Sequence, residues 1–170
     1  VRVQSGVVKD QLNASLKPHG LFFAPELSTS NRATIGGMIN TDASGQGSCT
    51  YGKTRDHVLE LSTVLLGGEL LHSGVVEQGV LEQETARPDR IGDVYRCAVD
   101  IADNQADLIE RTFPKLNRCL TGYDLAHLRE QGNRFNLNSV LCGSEGSLGF
   151  TVEAKLHVLP IPQYSLLVNV

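Results

Sequence analysis

Ala33-Thr-Ile-Gly-Gly-Met-Ile-Asn-Thr-Asp-Ala-Ser-Gly45, with Tyr51-Gly-Lys-Thr54 close behind, is the stretch around which the rest of the chain falls into place. Two adjacent glycines, Gly36 and Gly37, follow the capping-type run Ser28-Thr-Ser-Asn31 and precede a short apolar patch, so the spacing predicts a loop turning into a short helix. A helix start leaves backbone N–H groups without intrahelical partners, and glycine lets a ligand come close to the main chain. With the helix dipole behind them, such donors suit a phosphate or pyrophosphate. The same residues also fit a tight turn between elements of an ordinary core.

A second glycine-rich stretch, Gly143-Ser-Glu-Gly146-Ser-Leu-Gly149, opens onto Phe150-Thr-Val-Glu-Ala-Lys-Leu-His-Val158, whose alternating apolar positions read as a half-buried strand. A loop that needs three glycines and leads straight into a strand can lay its backbone against a flat ligand. The order Gln11-Leu-Asn, Pro18-His-Gly-Leu-Phe-Phe, Thr34-Ile-Gly-Gly, Ala43-Ser-Gly, Tyr51-Gly-Lys-Thr-Arg-Asp-His-Val58, Gly122-Tyr-Asp-Leu and Gly143-Ser-Glu-Gly spans nearly the whole chain. It resembles the FAD-linked oxidase family, whose PCMH-type flavin-binding domain is shared by vanillyl-alcohol-oxidase-like enzymes. It resembles in particular the D-lactate, glycolate and D-2-hydroxyglutarate dehydrogenase branch.

That resemblance implies an α+β fold, the larger second subdomain of a PCMH-type FAD-binding domain, with an antiparallel or mixed sheet flanked by helices. It implies FAD as cofactor, with contacts from Pro25, Thr34, Gly36, Gly37, Asp42, Ser44, Gly45, Tyr51, Gly52, Thr54, Gly143, Glu145, Gly146, Gly149 and Thr151, and with Tyr123 toward the substrate. Asp42 stands where many relatives have Asn. An ionised Asp only accepts hydrogen bonds and repels a pyrophosphate, so it either faces away or accepts from a ribose or backbone donor. No catalytic base is assigned, and His19, His57 and His157 read as structural; His127, beside Gly122-Tyr123, stays open as a site residue.

Composition is compatible with this. The 170 residues, 41% of them apolar and none of them Trp, suffice for one domain with its own core. A net charge of −4 argues against nucleic acid or an anionic membrane surface as partner, so local donors must hold any pyrophosphate. No apolar run approaches membrane-spanning length, and Cys49, Cys97, Cys119 and Cys142 form no C-x-x-C pair, which favours free thiols, no metal site and a cytoplasmic setting.

Along the chain the pattern predicts a strand at 1–4, a helix at 7–17 ended by Pro18 and Gly20, and extended chain through Pro25. A hairpin follows, with strands 58–66 and 69–72 around Gly67-Gly68. Residues about 73–119 read as a helical insertion, its main helix at 91–112 capped at Asp89 or Arg90 and stopped by Pro114; it resembles large bacterial enzymes that fuse this flavin domain to an iron–sulfur domain. A helix at 125–131, a short segment at 135–141, the strand 149–158 broken by Pro160-Ile-Pro162, and a last strand from Tyr164 complete the reading.

Val1-Arg-Val-Gln reads as a strand already under way, so the chain is expected to be a segment of a larger protein whose upstream pyrophosphate loop and downstream cap domain lie outside it. The expected function is to hold FAD for a flavin-dependent dehydrogenase that oxidises a D-2-hydroxy acid, with the fragment alone inactive. The alternative is a non-catalytic module of the same fold that acts through its helical insertion.

Overall fold

The computed structural model describes residues 1–116 and 122–164. Its centre is a six-stranded sheet in the order β1 (Arg2–Gln4), β7 (Phe150–Leu156), β3 (Val58–Val64), β4 (Leu70–Val76), β6 (Arg134–Asn136), β5 (Arg129–Glu130). Every pairing in it is antiparallel. A two-stranded sheet joins β2 (Leu21–Phe22) to β8 (Leu159–Pro160). The helices are α1 (Lys9–Leu16), α2 (Ile35–Asn40), α3 (Ser48–Tyr51), α4 (Gln78–Ala86), α5 (Arg90–Asn104), α6 (Ala106–Thr112) and α7 (Asn138–Leu141).

Apolar residues that alternate along β3 and β7 put Leu61, Ala154 and Leu156 on one face, where they meet Ile35, Met38 and Ile39 of α2, all buried. At roughly 1.5–3 kcal/mol for each large aliphatic or aromatic side chain, this face anchors α2 to the sheet. Across the sheet Tyr95 of α5 packs on Phe135 of β6, ring centroids 6.4 Å apart. The opposite face near β1 carries exposed charges, Arg2 bridging Glu60 and Glu153, and Lys155 bridging Glu60.

Several local expectations change. Helix α1 starts at Lys9, because Val8 is extended and bridges Thr34. The hairpin loop takes in Leu65 and Glu69 as well as both glycines, closed by the Leu65 amide donating to the Glu69 carbonyl. Strand β4 runs on through Ser73-Gly74 to Val76, so the first four residues assigned to the insertion are sheet. The helix expected at 91–112 is two, with the chain leaving helical geometry at Gln105 and Leu108 left exposed. Its start is as read: the Asp89 carboxylate accepts from the Gly92 amide.

The 125–131 helix is replaced by a 3₁₀ turn, Leu125–His127, and a hairpin formed by β5 and β6. Gly132 and Asn133 at its tip adopt positive φ, 76° and 60°. Pro160 does not end extended structure but pairs with Leu21. The expectations for Cys119 and for a strand beyond Tyr164 lie outside the described residues.

Candidate functional site

Helix α2 organises the glycine-containing bends in space, though not through free amides at its start. The Thr34 hydroxyl caps it by accepting from the Gly37 amide (3.2 Å), the Ile35 amide donates to the Val7 carbonyl, and the Gly36 amide donates to the Ser5 carbonyl (2.8 Å). These donors are therefore engaged inside the fold, which corrects the expectation of an open phosphate cradle there. Gly36 is needed for another reason: a Cβ on it would stand 2.7 Å from that of Ser5.

At the other end of α2 the second glycine loop docks. The Gly143 and Glu145 amides donate to the Ile39 and Asn40 carbonyls (2.9 and 2.8 Å). Six residues of helix separate the two bends, roughly 9 Å of rise. Gly143, at φ 82°, lies under the Gly122 carbonyl, so the Gly122-Tyr123 turn stacks directly on this loop. Tyr123 hydrogen-bonds through its hydroxyl to Ser147 Oγ (2.6 Å), and the two frame a groove of about 400 Å³ with Gly122, Gly143, Ser144 and Glu145.

A second groove, about 730 Å³, opens beside the loop after α2. It is lined by Lys9, Glu26, Leu27, Ser28, Ser30, Ser44, Gly45 and Gln46. Here the unused donors collect: no described residue accepts from the amides of Ser44, Gly45, Gln46 or Gly47, and the Ser44 hydroxyl is buried without a partner. Gly45 passes so close to the 26–27 backbone that a Cβ would come within 2.2 Å of the Glu26 carbonyl oxygen. A larger cavity of about 970 Å³ lies between α6 and residues 125–133.

Other candidate residues have environments that account for them without a ligand. Thr54 is buried and donates to the Ala43 carbonyl (2.7 Å). Tyr51 packs edge-on against Phe22, and its carbonyl accepts from His57 Nε2 (2.7 Å). Gly52 supplies a positive φ of 73°, Gly149 wedges between Thr63 and Val64, and Thr151 is buried opposite Thr63. Pro25 is buried, and Gly146 turns the loop at φ 77°.

Asp42 faces away from both grooves in chemical terms, because its oxygens are occupied. Oδ2 pairs with Lys53 Nζ at 2.7 Å, and Oδ1 accepts from the Arg55 amide at 2.9 Å. The Arg55 guanidinium in turn pairs with Asp124, whose carboxylate also meets His127 Nδ1 at 2.7 Å. This chain of charges ties together the segments at 42, 53–55 and 124–127. Sequence reading missed Lys53, Arg55 and Asp124 as a unit, although each sits within a quoted motif; the signal was a charge inside a glycine-rich or apolar run. Nothing in the sequence singled out Lys9, and Ser28 and Ser30 stood out only as members of a capping-type run. Among the described residues no group of three His, Cys, Asp or Glu side chains could hold a metal, and no helix is long and apolar enough to cross a membrane.

Comparison with known proteins gives a match to the FAD binding domain model over residues 1–74. The whole chain is similar to D-2-hydroxyglutarate dehydrogenase of Pseudomonas putida, 77% identical over 170 residues, and of Escherichia coli, 53% identical over 171 residues. It spans only 17% of the length of each. A glycolate oxidase subunit of Bacillus subtilis is 27% identical over 161 residues, 95% of this chain and 23% of that one. Among solved structures, alkyldihydroxyacetonephosphate synthase aligns with a TM-score of 0.56 at 20% identity over 96% of this chain and 20% of its own, a likeness of fold.

Proposed function

We propose that this chain is a member of the FAD-linked oxidase family and the flavin-holding part of a dehydrogenase acting on D-2-hydroxy acids, D-2-hydroxyglutarate foremost, a reading supported by the FAD binding domain match over residues 1–74 and by the 77% identical relative. The observation that carries the reading is similarity to D-2-hydroxyglutarate dehydrogenases over the whole chain, 77% and 54% identical in two of them. The donor chemistry fits FAD: four successive amides and an orphaned hydroxyl at residues 44–47 suit a ligand rich in acceptor oxygens.

When bound, the flavin supplies the hydride-accepting chemistry. This chain's residues bind and orient. Ser44 and the amides through Gly47 grip one part of the cofactor, while the Gly143–Gly146 loop, fixed to the end of α2, presents the groove of about 400 Å³ beside Tyr123. Tyr123, 45% exposed and steadied by Ser147, borders the space where substrate would lie. Of the alternatives left open for position 42, Asp42 accepts from a backbone donor, the Arg55 amide, and pairs with Lys53, so it leaves the set of proposed contacts. The substrate, the other segments of the protein as partners, and a cytoplasmic setting belong to the same proposal; the three described cysteines are unbridged.

The test is spectroscopic. The full-length protein is expected to purify yellow, with flavin absorbance that bleaches anaerobically on adding D-2-hydroxyglutarate and far more slowly with the L-enantiomer. A colourless protein that gains no flavin on reconstitution would overturn the proposal in favour of a non-catalytic module.

A further inference from the structure

Lys9 is the first residue of α1 and only 7% exposed. Its position is unfavourable for a cation on two counts. Burial removes water from the ammonium, and the start of a helix already carries partial positive charge. Burial accordingly lowers its pKa. Asp10 and Glu26 act on it through space, yet no carboxylate of the described residues comes within ion-pair distance of it, and no hydrogen bond from its ammonium is formed within them. The stem of Lys9 is buried while its ammonium still reaches the groove, where remaining water is its acceptor until an anionic ligand takes that place.

The side chain lines the groove of about 730 Å³ that also holds Ser28, Ser30, Ser44 and Gly45. The Ser44 hydroxyl there is buried and unpartnered, and the amides of residues 44–47 have no acceptor among the described residues. The groove thus gathers donors of three kinds, beside the Glu26 carboxylate, which lies against Gly47. Such a set calls for a ligand with anionic oxygen. The amides of Gly36 and Gly37, the obvious candidates for holding negative charge, are consumed by Ser5 and Thr34.

Resting on the flavin reading above, we propose that Lys9 is the cationic contact this chain makes to FAD, its ammonium pairing with an anionic oxygen of the bound cofactor. That oxygen belongs either to the diphosphate or to the flavin ring, which gains negative charge on its pyrimidine side when reduced, and the two sources give different readouts.

The experiment compares wild type, Lys9→Met and Lys9→Arg in the full-length protein, measuring FAD and riboflavin affinity, the midpoint potential of bound flavin, and thermal stability without flavin. Methionine matches the stem and removes the charge. If the diphosphate is the partner, Lys9→Met weakens FAD binding at least tenfold and leaves riboflavin binding unchanged. If the ring is the partner, affinity for oxidised FAD holds while reduced flavin loses at least tenfold in relative affinity, a fall of about 30 mV for the two-electron couple. In both cases Lys9→Arg restores most of the effect, and flavin-free Lys9→Met is at least as stable as wild type because a buried charge has gone. A purely structural lysine gives the reverse: lower flavin-free stability with both flavin readouts within twofold of wild type, and that result overturns the inference. Wild type that binds no flavin sinks the functional reading along with it, whereas wild type that binds flavin with an unaffected Lys9→Met sinks only the role of Lys9.

Discussion

Replacing Asp42 with Asn removes one charge and almost nothing else. The variant keeps a side-chain oxygen to accept from the Arg55 amide, and asparagine tolerates the left-handed backbone at this position, φ 45°. What disappears is the countercharge 2.7 Å from Lys53 Nζ, in a pair whose side chains are 1% and 9% exposed. Breaking a buried ion pair from one side typically destabilises by 3–5 kcal/mol, because the surviving charge stays desolvated. The low end applies here, since Lys53 has a further interaction besides Asp42. Asp42→Asn is therefore expected to lower stability by about 3 kcal/mol. Lys53→Met should act comparably, and the double variant should recover to within about 1 kcal/mol of wild type, since replacing both charges leaves none buried alone. Urea denaturation of the 170-residue chain at pH 7, followed by far-UV circular dichroism, gives all four midpoints. A loss below about 0.5 kcal/mol for Asp42→Asn, or a double variant equal to the sum of the singles, would refute the argument that this pair fixes the loop after α2.

Two further outcomes follow from local geometry. Gly45→Ala places a methyl 2.2 Å from the Glu26 carbonyl oxygen and should cost at least about 1–3 kcal/mol, together with loss of flavin colour; Gly6→Ala, with nothing within 4 Å, is the matched control expected to stay within about 0.5 kcal/mol. The carboxyl of Asp89 is held down to about 2 by the Arg87 guanidinium and by the Gly92 amide it caps, so its folded pKa lies below the unfolded value near ~3.9. Its stabilising effect is complete above pH ~4 and fades as pH falls through the folded value. The stability gap between wild type and Asp89→Ala should then shrink steadily on acidification from pH 4 to 2; a gap that stays constant would show that charge at this cap does not matter.

The pattern of apolar residues was enough to place β1, α1, the β3–β4 hairpin and β7, because each element's period is written locally and each buries one continuous face. The order of the glycine motifs likewise pointed to the family, since bends that need glycine leave a mark in the chain wherever they occur. What the sequence could not say is where their hydrogen bonds go. The amides of Ile35 and Gly36 looked available only because the carbonyls of Val7 and Ser5, some thirty residues earlier, had not yet been brought beside them. Residues 125–131 carry a pattern short enough to serve helix or strand, and pairing of β6 with the end of β4 settles it, Val75 opposite Asn136. Asp42 shows the same division most sharply. Its identity predicted repulsion of a phosphate, but the meaning of a buried charge depends on its nearest countercharge, and only the fold sets Lys53 against it.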